Sequence, residues 1–111
     1  MEISFREENG VHIIDVSGEF DLANAPKARA LFDQLIKKQA KQIVVNFNEA
    51  TYIDSSGLAT VIDVFQRSRK FQGRLVLCGL APVVKNVFEI ARLDSVFTIF
   101  LDEAGALESF K

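Results

Sequence analysis

The chain has 111 residues, a formal net charge of −2, 49% hydrophobic residues and only two prolines. This length predicts one domain, residues 1–111, and the composition excludes an intrinsically disordered segment. The small net charge excludes the strongly basic surface that direct binding to nucleic acid or to an anionic membrane would need.

The first part of the chain predicts two strands and a helix. Ile3 and Phe5 alternate with polar neighbours, and Asn9-Gly10 is a hairpin signal, so we expect an antiparallel pair of strands. The second strand covers Val11–Val16. A helix should begin near Asn24, a favourable N-cap residue. It carries apolar residues at helical spacing: Ala28, Leu31, Phe32 and Leu35.

The remainder alternates between strands and helices. Continuous apolar runs predict strands at Ile43–Phe47, Arg74–Gly79 and Val96–Leu101. Between them, helical spacing of apolar residues predicts a helix that starts after Asp54, a helix that opens at Ala81-Pro82, and a short terminal helix that Asp102 caps. The order is therefore β-β-α-β-α-β-α-β-α.

This order predicts an α/β fold with a mixed, mostly parallel sheet of about four to five strands and about four helices. The carboxyl ends of parallel strands meet at one edge of a sheet, where ligand and partner sites gather. Three connections should meet there, Gly18–Asp21, Tyr52–Gly57 and Gly79–Pro82. We call the predicted partner-binding part of this edge the Ser55 rim, and its members are Glu19, Asp21, Asp54, Ser55, Ser56 and Gly57.

The start of the second helix is the most informative part of the rim. It places the hydroxyls of Ser55 and Ser56 beside the carboxylate of Asp54. A helix N-terminus has free N–H groups and a partial positive charge, so a phosphate attached there is stabilised. A serine at this position can carry a charge switch. The alternative is that Asp54 and the serines only cap the helix.

Enzymatic readings have little support in the sequence. The only histidine, His12, is expected at the opposite end of the sheet from Ser55, which disfavours a serine hydrolase. Glu19, Asp21 and Asp54 lack the histidines or cysteines of a metal cluster. No nucleotide-binding glycine motif occurs, although the N–H groups near Ser56 and Gly57 could accept a small anion. We therefore predict no enzyme activity, no metal and no cofactor.

The single cysteine, Cys78, lies within an apolar strand and should be buried and unreactive. Because it cannot form an internal disulfide, we expect a reducing compartment, namely the cytoplasm. Residues 1–8 lack the features of a signal peptide, and no apolar segment approaches the ~20 residues that span a bilayer. We expect a protein that does not insert into membranes and is a monomer when free.

The chain resembles STAS domains, and more narrowly the bacterial anti-sigma factor antagonists. The resemblance runs nearly end to end. It rests mainly on Tyr52–Leu58, whose D-S-S-G-L core lies between a strand and a helix. Weaker support comes from Gly18–Asp21, Ala25-Pro26, Gly73 and Pro82–Phe88.

The resemblance implies a switch at Ser55. In this family the serine after the aspartate is phosphorylated by a partner that is both a serine kinase and an anti-sigma factor, and a serine phosphatase reverses the reaction. The unmodified antagonist captures the anti-sigma factor and frees a sigma factor. Carried over, Ser55 is the phosphosite with Ser56 as an alternate, Asp21 and Asp54 shape the rim, and Ser56-Gly57 set the helix start.

Two points remain open at this stage. The family commonly has a glycine where this chain has Arg92, so the connection Arg92–Val96 either strains its backbone or lets the helix continue.

STAS domains also serve as accessory or scaffold subunits of membrane transport and signalling assemblies. In that alternative the interface would be constant and independent of Ser55.

Overall fold

Five strands form one sheet, in the order β1-β2-β3-β4-β5. The computed structural model describes residues 1–111. Only the β1–β2 pairing is antiparallel, and the other three pairings are parallel. The bounds are β1 Glu2–Glu8, β2 Val11–Phe20, β3 Gln42–Ile53, β4 Arg74–Cys78 and β5 Ile99–Phe100. The predicted mixed, mostly parallel sheet is confirmed.

Four helices cover the two faces of the sheet. Their bounds are α1 Ala25–Lys37, α2 Ser55–Arg69, α3 Pro82–Ile90 and α4 Glu103–Glu108. One face packs against α1, α2 and α3 and contains the main core, which includes Ile14 and Val45 of the central strands together with Phe32 and Phe88 of the helices. The other face is only partly covered, by α4. Because β2, β3 and β4 are apolar on both sides, they must lie in the middle of the sheet.

A polar network ties the first strand to the last helix on the face that α4 covers. Arg6 Nε donates to Asp15 Oδ2 at 2.6 Å, and the same guanidinium donates to Glu103. Asn46 Nδ2 donates to Asp15 Oδ1 at 3.1 Å. The hydrogen bond from Arg6 lowers the pKa of the Asp15 carboxyl below its ordinary value. The network thus joins β1, β2, β3 and α4, which are far apart in sequence.

The last strand is shorter than the sequence predicts. The expectation was Val96–Leu101, but only Ile99–Phe100 pair with β4. The N–H groups of Val96 and Phe97 donate instead to the carbonyl of Leu93, at 3.0 and 2.9 Å. The apolar run is therefore divided between a turn and a strand, because the turn after α3 uses the N–H groups of Val96 and Phe97.

The predicted N-cap position of α1 is confirmed, but the side chain at that position does not cap the helix. Asn24 precedes the helix, but its side chain makes no capping hydrogen bond. Its Nδ2 donates instead to the Glu19 carbonyl at 2.9 Å and to Asp21 Oδ1 at 3.0 Å. Asn24 therefore shapes the loop between β2 and α1 rather than capping the helix.

The open question at Arg92 is resolved in favour of backbone strain. Arg92 has a φ of +61°, in the left-handed region that favours glycine. The N–H of Leu93 donates to the Phe88 carbonyl at 2.8 Å, which is the 6→1 bond of a glycine-type helix end. The helix therefore stops where a glycine would stop it, although an arginine occupies the position.

Replacing Arg92 with glycine should raise the free energy of unfolding by about 1 kcal/mol, because a β-carbon in the left-handed conformation costs about that amount. Urea unfolding curves of the two proteins measure the difference. Arg92→Ala is the matched control, since it removes the same exposed side chain but keeps the β-carbon. Equal stability of the glycine and alanine variants would contradict the prediction.

Candidate functional site

Asp54 organises the junction between β3 and α2. It has extended backbone angles, and its Oδ1 accepts hydrogen bonds from the N–H groups of Ser56 at 2.9 Å and Gly57 at 3.1 Å. The aspartate is therefore the N-cap of α2. The capping bonds come from Asp54 and not from the hydroxyls of Ser55 and Ser56, so the cap reading holds for the aspartate alone.

The same carboxylate also holds a neighbouring loop. Asp54 Oδ2 accepts a hydrogen bond from the N–H of Leu22 at 3.1 Å, and the N–H of Asp54 donates to the Phe20 carbonyl at 3.2 Å. These two bonds connect the β2–α1 loop to the start of α2. Two segments that are distant in sequence are therefore joined by hydrogen bonds of one residue, Asp54.

Ser55 is exposed at the first position of α2, whereas Ser56 is only half-exposed. Ser55 therefore lies at the surface of the protein, whereas Ser56 is partly covered. The helix start thus presents one accessible alcohol on a fixed backbone, immediately beside the Asp54 carboxylate.

The expectation that the leading amides would receive a phosphate needs correction. The N–H groups of Ser56 and Gly57 are already bonded to Asp54 Oδ1, and that of Asp54 is bonded to Phe20. Of the donors that a helix start normally leaves free, only the N–H of Ser55 remains. Asp54 already supplies the negative charge that a phosphate would have supplied.

The remaining rim residues have different roles. Glu19 is exposed at the end of β2, next to Tyr52 of β3. Asp21 is half-buried, and its Oδ1 accepts hydrogen bonds from the backbone and side-chain nitrogens of Asn24 at 3.1 and 3.0 Å. Asp21 therefore shapes the loop, whereas the Glu19 carboxylate makes no hydrogen bond or ion pair within the chain.

Gly57 lies below the rim surface. It is buried, and a β-carbon added to it would lie 2.4 Å from the Phe20 carbonyl oxygen and 2.9 Å from Ile53 Cγ1. Real β-carbons essentially never approach that closely. Gly57 is therefore a positioning residue that lets α2 start against the end of β2, and its place among the partner-contacting residues is not supported by its burial.

Other reactive side chains lie away from Ser55. His12 pairs in register with Ile43 near the start of β3 and stacks on Phe5, with ring centroids 5.7 Å apart. Cys78 is buried, and burial raises the pKa of its thiol to about 12, with a smaller contribution from the carboxylate of Glu103. The predicted burial of Cys78 is confirmed, and the raised pKa disfavours the reactive thiolate form.

No three side chains among the histidine, cysteine and acidic residues converge in a way that could hold a metal ion. Two of the three rim carboxylates are instead engaged, Asp54 with backbone N–H groups and Asp21 with Asn24. None of the four helices combines the length and the apolar character that crossing a bilayer requires.

Leu22 is a rim residue that the sequence did not single out. Its side chain is 73% exposed, although the loop around it is held firmly by Asp54. A single leucine in a polar loop gives no periodic signal, and its position beside Asp54 depends on a contact between distant segments. Only the tertiary structure could reveal it.

Known proteins of the same kind cover nearly the whole chain. The family model of the STAS domain matches residues 2–106. BtrV of Bordetella bronchiseptica, which carries a provisional name as an anti-sigma factor antagonist, is 32% identical over 100% of this chain and 96% of its own. The anti-sigma-B factor antagonist of Listeria monocytogenes is 32% identical over 89% of this chain and 88% of its own.

Solved structures show the same fold. The anti-sigma factor antagonist SpoIIAA in its unphosphorylated form superposes with a TM-score of 0.77 at 22% identity, and the alignment covers 98% of this chain and 97% of SpoIIAA. The phosphorylated form of SpoIIAA from Bacillus gives 0.80, also at 22% identity, over 99% and 100% of the two chains. At this identity the likeness concerns the fold alone.

The fold and the capped serine junction define a STAS domain. The chain belongs to the STAS domain family and, within it, to the anti-sigma factor antagonists. The resemblance on which the sequence predictions relied is therefore confirmed.

Proposed function

We propose that this protein is a phosphorylation-gated anti-sigma factor antagonist that acts in the cytoplasm. In its unmodified form it binds a serine-kinase anti-sigma factor and thereby releases a sigma factor. Phosphorylation of Ser55 by that kinase ends the binding, and a serine phosphatase restores it. The protein serves as a binding partner rather than as an enzyme.

The observation that carries the proposal is the exposed Ser55 at a helix start that Asp54 holds rigid. A phosphoryl group adds about −1.5 to −2 charges at neutral pH. Because the N–H groups of Ser56 and Gly57 are occupied by Asp54, the backbone offers little to neutralise this charge. When a partner docks against the rim and excludes water, the added charge repels the neighbouring Asp54 carboxylate and displaces the contact made at the Ser55 hydroxyl, which costs several kcal/mol.

The relatives support the same assignment. The Listeria protein is named as an antagonist of an anti-sigma factor, and SpoIIAA is known in both an unphosphorylated and a phosphorylated form. A chain with this fold therefore accommodates a phosphoryl group. The alternative of a constant interface in a transport assembly is not favoured, because the curated relatives that cover the chain are named anti-sigma factor antagonists.

Incubation with the host's serine-kinase anti-sigma factor and ATP should add one phosphoryl group to the intact mass, and fragmentation should localise it to Ser55. Ser55→Ala should stay unmodified. Ser56→Ala is the matched control and should be modified like the wild type, because Ser56 is less exposed. An unmodified wild-type protein, or a phosphoryl group on Ser56, would contradict the assignment.

A further inference from the structure

Leu22 projects an apolar side chain from a fixed position beside the phosphosite. It is 73% exposed, and its own N–H donates to Oδ2 of Asp54, the residue directly before Ser55. Neither core cluster includes it, so folding does not explain the leucine. A partner that reaches the Ser55 hydroxyl has to approach the loop that the Asp54 carboxylate holds.

Isolated exposed apolar residues are common on protein surfaces and need no explanation by themselves. Two features set Leu22 apart from such residues. Its backbone is held by Asp54, so little flexibility is lost when a partner covers it. It also lies between carboxylates, with Asp21 before it in the chain, Asp54 in contact and the exposed Glu19 at the end of β2.

We propose that Leu22 is an apolar docking residue for the anti-sigma factor, which covers it with an apolar recess bordered by lysine or arginine side chains. This inference rests on the proposed function and specifies the partner's surface. The basic border complements Glu19 and Asp21, and the segment Gly18–Pro26 contains no lysine or arginine of its own. An apolar centre with a charged border is the usual anatomy of a protein interface.

The test compares Leu22→Ala with Ile90→Ala in binding to the host's purified kinase-type anti-sigma factor, in the presence of a non-hydrolysable ATP analogue. Ile90 is the matched control because it is 75% exposed but is the last residue of α3, a helix that begins at the edge of the sheet where the Ser55 rim lies and ends away from that edge. We expect Leu22→Ala to weaken binding by about 10- to 50-fold and Ile90→Ala by less than about twofold.

A second pair of measurements keeps the inference separate from the proposed function. The unfolding midpoint of Leu22→Ala should equal that of the wild type, because the side chain is outside the core. Ser55→Asp is measured in the same binding assay. If Leu22→Ala binds like the wild type while Ser55→Asp is weakened, the docking role is wrong and the switch stands.

The converse result separates the two claims in the other direction. If Leu22→Ala is weakened while Ser55→Asp binds like the wild type, the docking role stands and the phosphorylation gate is wrong. If the unmodified wild-type protein does not bind the anti-sigma factor at all, both claims are overturned.

Discussion

Ser55→Asp should weaken binding to the kinase-type anti-sigma factor by about 100-fold or more, whereas Ser55→Ala should bind like the unmodified protein. The aspartate adds a negative charge directly beside Asp54, whose carboxylate already occupies the first amides of α2. The new charge has no N–H group of Ser56 or Gly57 to bind. The free-energy cost therefore arises in the complex, where the partner excludes the water that screens the repulsion between the charge at residue 55 and Asp54.

Isothermal titration of both variants with the purified anti-sigma factor measures this effect. Ser95→Asp is the control, because it adds the same charge at an exposed serine in the connection before β5, away from the rim. It should bind like the wild type. If Ser55→Asp and Ser95→Asp bind equally well, the charge at residue 55 does not gate the contact.

Gly57→Ala should lower the free energy of unfolding by about 3 kcal/mol, the upper part of the range for overpacked sites. The methyl group would meet the Phe20 carbonyl oxygen at 2.4 Å, and that oxygen belongs to the backbone, which cannot move aside cheaply. Helix propensity alone would favour alanine by about 1 kcal/mol, so the steric cost has to exceed this gain. Urea or thermal unfolding measures the net effect.

Gly105→Ala is a closely matched control for that substitution. Like Gly57, Gly105 is the third residue of its helix and donates its N–H to a capping aspartate, Asp102, at 2.9 Å. Its added β-carbon would come no closer than 3.3 Å, to a side-chain oxygen. Gly105→Ala should change the stability by less than about 1 kcal/mol. Equal losses at the two glycines would show that the contact with Phe20 does not matter.

The sequence predicted the architecture because the fold depends on patterns that are local. Each apolar run in β2, β3 and β4 lies within a single strand. The helical spacing of apolar residues in α1 and α2 likewise lies within a few turns of one helix. The end of the chain was harder. Val96 and Ile99 look alike in an apolar run, yet Val96 belongs to a turn because its N–H bonds to Leu93.

The site was predictable in part, because some of its features also depend on local sequence patterns. The D-S-S-G-L segment indicates a capped helix start, and the structure confirms that Asp54 is the cap. The bond from Leu22 to Asp54 joins residues 32 positions apart, which no local pattern reveals. The occupation of the Ser56 and Gly57 amides agrees with the alternative, left open from the sequence, in which Asp54 caps the helix.

The three hydrogen bonds accepted by Asp54 have a consequence for how the protein would respond to phosphorylation in the cell. Since the carboxylate of Asp54 already binds the amides at the start of α2, phosphorylation of Ser55 should not change the fold. The phosphorylated and unphosphorylated proteins should therefore survive for similar times in the cell. If the proposed switch at Ser55 operates, the phosphorylated fraction of the protein should follow the relative rates of the kinase and the phosphatase, without a conformational threshold in the protein itself.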